Sequence, residues 1–190
     1  MTLRLLLLGC IFGLAGAAHA ALPNAPVERI DLERYLGTWH EVARLPNRYQ
    51  DDCVSGTTAT YLRGEDGEIV VRNACTTAEG ERMSVDGVAR EVVSGSGNLQ
   101  VRFAPRWLAW LPVWADYWVL DLDPDYRWAV VGGPTRKFLW VLARDPRLDP
   151  EVFEGIKARA AARGYAVERL WVADTLRDAG TTPVADRRSP

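Results

Sequence analysis

The residues best suited to chemistry are scarce in this chain: three cysteines (Cys10, Cys53, Cys75) and two histidines (His19, His40). Acyl transfer by a serine needs a strained Gly-x-Ser-x-Gly turn to expose the nucleophile, and no such run occurs. A general base must sit beside the nucleophile it activates, and His40 has no such neighbour in the sequence. A thiolate nucleophile remains open only if Cys53 and Cys75 stay unpaired. Two cysteines and His40 are too few ligands for a structural zinc site, so no metal is expected. His40 is a candidate axial ligand for haem, but it alternates with Trp39 along an extended segment and so points the opposite way. These residues lead to the expectation of a protein that is not an enzyme and carries no cofactor.

The first 20 residues set the compartment. Arg4 is followed by the apolar run Leu5 to Leu14, then by Ala18-His19-Ala20, a small-x-small cleavage pattern. This is the form of a secretory signal with cleavage before Ala21, which implies a periplasmic or secreted protein. Leu7-Leu8-Gly9-Cys10 offers a second reading, an outer-membrane lipoprotein anchored at Cys10. Cleavage before Ala21 removes Cys10 and leaves Cys53 and Cys75. In an oxidising compartment two cysteines most simply form one disulfide, with two buried free thiols as the alternative. Closing that loop would stabilise the fold by roughly 3 kcal/mol in the chain-entropy view.

Composition agrees with a packed soluble domain: 48% hydrophobic and 25% charged residues in a chain of 190. The net charge is −2, and with Arg4 in the leader the remainder carries −3. No basic patch stands out, so nucleic acid is not an expected partner. Of the eight tryptophans, six (Trp107, Trp110, Trp114, Trp118, Trp128, Trp140) fall in one stretch.

The elements that must position these residues read as strands in quick succession. They are Thr38–Leu45, Thr57–Leu62, Glu68–Ala74, Glu81–Val92, Leu99–Phe103, Ala115–Leu122, Tyr126–Val131 and Phe138–Arg144. Glycine-bearing turns at Gly64–Gly67 and Ser94–Asn98 separate them. Eight strands joined in sequence are the count of an antiparallel up-and-down barrel. Asp31 caps a short turn through Tyr35. Asp149 caps one C-terminal α-helix with Pro150 in its first position, Val152, Phe153, Ile156 and Ala160 along one face, and Gly164 at its end. Leu170-Trp171-Val172 reads as a short ninth strand. The expected organisation is a signal peptide over 1–20, one all-β domain over 21–178, and a flexible tail over 179–190.

Three blocks in order carry a family resemblance over roughly Asp31 to Asp174. They are Gly37-x-Trp39 with Glu41-Val42-Ala43-Arg44, then Asp123-Pro124-Asp125-Tyr126 with Ala129-Val130-Val131, then Gly133-Pro134 with Leu139-Trp140-Val141-Leu142-Ala143-Arg144. Leu45-Pro46-Asn47-Arg48-Tyr49 adds a first loop. The chain resembles the lipocalins, and within them the bacterial and apolipoprotein D-like branch. It departs at His40, where that branch has an aromatic residue. The resemblance implies that Gly37, Trp39 and Arg144 close the barrel floor, with the Arg144 guanidinium stacked on the Trp39 indole. Such a contact contributes ~1–2 kcal/mol when partly desolvated.

A barrel of eight strands encloses room for side chains or one small ligand. Alternation from Trp39 turns Glu41 and Ala43 inward. The other expected lining residues are Ala59, Tyr61, Val71, Asn73, Val101, Phe103, Tyr117, Val119, Ala129, Val131, Trp140 and Leu142. Glu41 in an apolar cavity requires a partner. The connection from Ala104 to Trp114 is too apolar for an ordinary solvated loop. It folds back over the barrel's own core, or contacts a partner protein, or lines the entrance with Trp107 and Trp110 and touches membrane lipid. The resemblance implies binding, storage or transport of a fatty acid or lysophospholipid in the bacterial cell envelope, in membrane maintenance under stress. The alternatives are a pigment, an isoprenoid or haem as ligand, or an enzyme using a cavity thiol. A homodimer stays open.

Overall fold

The computed structural model describes residues 21–65, 67–103 and 113–179. The short helix α1 (Leu32–Tyr35) starts at Asp31, whose carboxylate accepts from the Glu33 and Arg34 amides. Eight strands follow: β1 (Gly37–Arg44), β2 (Ser55–Arg63), β3 (Ile69–Thr76), β4 (Arg82–Glu91), β5 (Asn98–Arg102), β6 (Ala115–Leu122), β7 (Trp128–Gly132) and β8 (Trp140–Ala143). Each pairs antiparallel with the next, β8 returns to β1, and β1 also pairs with β2, so the sheet closes on itself. Closure removes the sheet edges that an open arrangement would leave unpaired. A ninth strand, β9 (Trp171–Val172), adds to the upper half of β1.

Two cores follow from the alternation of side chains. The inner one contains Tyr35, Trp39, Tyr61, Ile69, Val71, Ala89, Leu99, Val119, Val131 and Leu142. The outer one lies where α2 (Pro150–Ala162) covers the wall, with Phe153, Ile156 and Ala160 packed on Val42, Leu120, Val130, Leu139 and Val141. Asp149 caps α2 by accepting from the Glu151 and Val152 amides, and Gly164 follows it at φ 86°. Val152, expected on the buried face, is on the exposed side of the helix. A bulge between Val119 and Asp121 turns Leu120 and Asp121 outward together. Leu120 then packs against α2, and Asp121 pairs with Arg159 at 2.6 Å.

The chain adds one element that was not expected at the end of the domain, α3 (Asp174–Ala179). Leu176 anchors it in the outer core, and one buried apolar residue in a polar segment gives too weak a period to read.

Candidate functional site

The ladder register decides which side chains share the interior. Trp39 stands opposite Ala59, Ala59 opposite Asn73, and Asn73 opposite Val85. Tyr61, Val71 and Gly87 form a row beside them, and Val101 pairs with Ala89 and Ala115. Leu99 faces Tyr117, Val119 faces Val131, Val131 faces Trp140, and Ala129 faces Leu142, which faces Glu41. All of these lie on one face of the sheet. Phe103 follows β5 on the same side, and its ring lies where a side chain on Gly87 would go, 2.6 Å from that Cβ position. Trp107 and Trp110 lie outside the described residues.

Ala43 is a correction. A bulge between Glu41 and Ala43 inserts Val42, so Ala43 pairs with outward-facing Val141 and packs in the outer core. The same bulge returns Arg44 to the inner face, opposite Trp140. Alternation alone carries no signal for this extra residue.

The floor is sealed. The Arg144 guanidinium lies 3.7 Å from the centre of the Trp39 ring. It donates through Nη1 to Thr38 O at 2.9 Å, and through Nη2 to Arg34 O and Leu36 O at 2.8 Å each. The Arg34 and Leu36 carbonyls are ones that α1 leaves free at its C-terminal end, where a cation is also favoured by the helix dipole, while Thr38 O belongs to β1. The indole Nε1 donates to Tyr35 O at 2.8 Å. Gly37 adopts φ +93° with Arg144 Nη1 only 3.3 Å from where a Cβ would sit. Both the conformation and the approach of the guanidinium call for glycine there. Trp39 is fully buried, so its place is in the floor itself.

Next to Trp39 is a cluster of three phenols. Tyr117 Oη is 2.8 Å from Tyr35 Oη and 2.6 Å from Tyr61 Oη. Burial pushes the Tyr35 and Tyr117 hydroxyls well above the usual tyrosine range and Tyr61 up to about 12, so all three keep their protons at any ordinary pH.

Nearer the mouth, Glu41 finds the partner its burial demands. Its Oε1 accepts from Arg44 Nη1 at 2.8 Å and its Oε2 from Gln50 Nε2 at 2.6 Å. Gln50 Oε1 in turn accepts from Trp140 Nε1 at 2.7 Å, and Arg44 Nη2 donates to Cys53 O at 3.2 Å. The Arg44 guanidinium stacks 4.1 Å from the centre of the Trp171 ring. Burial raises the Glu41 carboxyl above its usual range, against the opposing pull of Gln50 and Arg44. A disulfide from Cys53 to Cys75 ties the β1–β2 loop that carries Gln50 to the end of β3. That bond closes the route to a cavity thiol nucleophile.

The wall is lopsided. On the β4–β6 side the inward positions nearest the mouth stay open: Met83 is 45%, Val85 47% and Phe103 39% exposed, and Ala115 is exposed too. On the β7–β8–β1 side Val131, Leu142 and Glu41 are buried. Since these residues face inward, the accessible surface belongs to an apolar cup that reaches down to half-buried Tyr117. His40 pairs with Thr58 and with outer-core Ala143, on the opposite face from Trp39. It therefore has no access to the cup. Among the described residues no group of three histidine, cysteine or acidic side chains is placed to hold a metal.

The family model described as a lipocalin-like domain matches residues 30–175. The chain belongs to the lipocalins. It is 36% identical over 163 residues to temperature-induced lipocalin-1 of Arabidopsis thaliana, covering 83% of this chain and 87% of that protein. It is 36% identical over 149 residues to the outer membrane lipoprotein Blc of Citrobacter freundii, covering 77% and 80%. Apolipoprotein D of Mus musculus is 31% identical over 162 residues, covering 80% and 81%. In three dimensions the lipocalin superposes on insecticyanin from the tobacco hornworm Manduca sexta with a TM-score of 0.62, 19% identity and coverage of 82% and 87%. Lipocalins are in general proteins that bind or transport small hydrophobic ligands rather than enzymes.

Proposed function

We propose that this lipocalin takes up a single-chain amphiphile, a fatty acid or a lysophospholipid, and stores or carries it in the bacterial cell envelope as part of membrane maintenance under stress. The observation that supports this most directly is the one-sided apolar cup, whose inward Met83, Val85, Phe103 and Ala115 are exposed above a sealed floor. Exposed large apolar side chains facing a concave space are what a ligand's acyl chain would cover. Ala59, Asn73, Val101, Tyr117 and Trp140 would complete the lining. Buried Tyr61, Val71, Val119, Ala129, Val131 and Leu142 would support it from behind.

Export with cleavage before Ala21 places the protein in the periplasm or outside the cell. Lipidation at Cys10 is the other route, and the name of the relative from Citrobacter freundii, outer membrane lipoprotein Blc, supports it. On either route Trp107 and Trp110 would meet membrane lipid at the entrance. Native mass spectrometry of the purified protein should show a co-purified acyl amphiphile. Its tryptophan fluorescence should shift when oleate or 1-oleoyl-lysophosphatidylcholine is added. A protein that responds to neither, and carries nothing, is not a lipid carrier. The mass of the mature N-terminus separates Ala21 from a lipidated Cys10.

A further inference from the structure

The tyrosine cluster holds one proton too many. Three phenols bring three O–H donors, and the two contacts through Tyr117 use two of them. Whichever way the hydroxyls turn, one O–H is left without an acceptor among the described residues. An unmatched donor in a desolvated place is costly, so sites of this kind take an acceptor from elsewhere. A residual void of about 10 Å³ adjoins the rings, walled by Leu32, Leu36, Ile69, Ala89 and Leu99. It is at the lower limit for one water and its carbon walls offer no further hydrogen bond to hold one. The open direction is above, where Tyr117 borders the cup and an acceptor atom of a bound ligand can replace cup water.

One further observation favours a hydrogen-bonding group there. Asn73 projects from the inner face of β3, half-buried between Ala59 and Val85, and its amide makes no hydrogen bond among the described residues. By contrast, the mouth presents no free cation from the Glu41–Arg44 pair, whose charges cancel.

We propose that the Tyr35–Tyr117–Tyr61 cluster, with Asn73, is a recognition point for a carboxyl group, so that a long-chain fatty acid enters the cup polar end first. This rests on the reading of the cup as an amphiphile site. A lysophospholipid has a headgroup too large for the base of the cup and would leave it at the mouth, with its acyl tip at the tyrosines.

Oleate labelled with ¹³C at the carboxyl carbon and 1-oleoyl-lysophosphatidylcholine distinguish the two orientations. In the wild-type protein a water-soluble paramagnetic agent should leave the bound carboxyl signal sharp. Tyr117→Phe removes the shared hydroxyl and keeps the ring. It should weaken oleate about ten-fold or more, as expected for a hydrogen bond to a charged acceptor. Lysophosphatidylcholine should bind as before. Tyr61→Phe should repeat the pattern, and melting curves of both variants check that the barrel is intact. A carboxyl signal broadened by the agent, or oleate and lysophosphatidylcholine weakened equally, makes the cluster a brace for the floor and overturns the inference alone. Wild-type protein that binds neither probe overturns the amphiphile reading together with it.

Discussion

The two ends of the barrel close in different ways. At the floor a single guanidinium satisfies carbonyls from Arg34 to Thr38 and stacks on the fully buried Trp39. Towards the mouth the polar groups are equally well paired, Glu41 with Arg44 and Gln50, but they occupy only the β1–β8 side. The β4–β6 side carries exposed Met83, Val85 and Phe103. Two regions of one sheet with the same alternation thus serve opposite ends: one fills its interior and stabilises, the other leaves it empty on one side. Packing, rather than strand pattern, separates scaffold from cup.

Breaking the floor should have the largest effect. Trp39→Ala removes a fully buried indole, its hydrogen bond to Tyr35 O and the surface under Arg144, and should cost about 3–5 kcal/mol by urea denaturation. Reaching only 1 kcal/mol would mean the floor is not the stabilising end. Opening the disulfide with Cys53→Ser should cost about 3 kcal/mol and free the loop that carries Gln50, so denaturation midpoints with and without reductant should converge in the variant. Its effect on ligand affinity should exceed that of any floor variant of equal stability, because the loop borders the mouth.

Arg144→Met keeps the apolar stem over Trp39 and removes the donors to four carbonyls. We expect a loss of about 2 kcal/mol, tempered by the partial exposure of the group, with little change in affinity for oleate or lysophosphatidylcholine. An affinity loss far larger than the stability loss would place Arg144 in recognition.

The smallest effect is a contrast in pH dependence between the two ends. Glu41, near the mouth, has its carboxyl raised by burial. Asp123, in the β6–β7 turn at the floor end, is held low by its hydrogen bonds from Arg127. A raised carboxyl binds more protons folded than unfolded, so its contribution is fully present below the unfolded value and is lost as pH rises through the folded one. A lowered carboxyl contributes above the unfolded value and loses that as pH falls through the folded one. Stability curves of Glu41→Gln and Asp123→Asn against pH should therefore diverge from wild type in opposite directions in the acid range. Curves that diverge the same way would break the contrast.

Much of this was legible in the chain. The eight strands, the Asp149-Pro150 helix start and the Gly37-x-Trp39 with Arg144 pairing each rest on local rules: alternation, capping and the conformation only glycine tolerates. The inward set from Trp39 to Leu142 follows the same alternation, and fails only at Ala43, where a bulged residue shifts the phase. The partner of Glu41 was illegible, because Arg44 comes inward only through that bulge. Helix α3 was illegible because Leu176 is the one large apolar residue in its sequence.

By itself the sequence determined the barrel, since period-two alternation and turn chemistry are local and repeat eight times. It also determined the cysteine count that allows one crosslink. Only the tertiary structure decided that the cysteines lie close enough to bond, that three tyrosines from α1, β2 and β6 meet with a proton to spare, and that the cup opens on one side. Those facts depend on ring closure and on which walls α2 covers, and no local pattern encodes distances between residues that closure brings together.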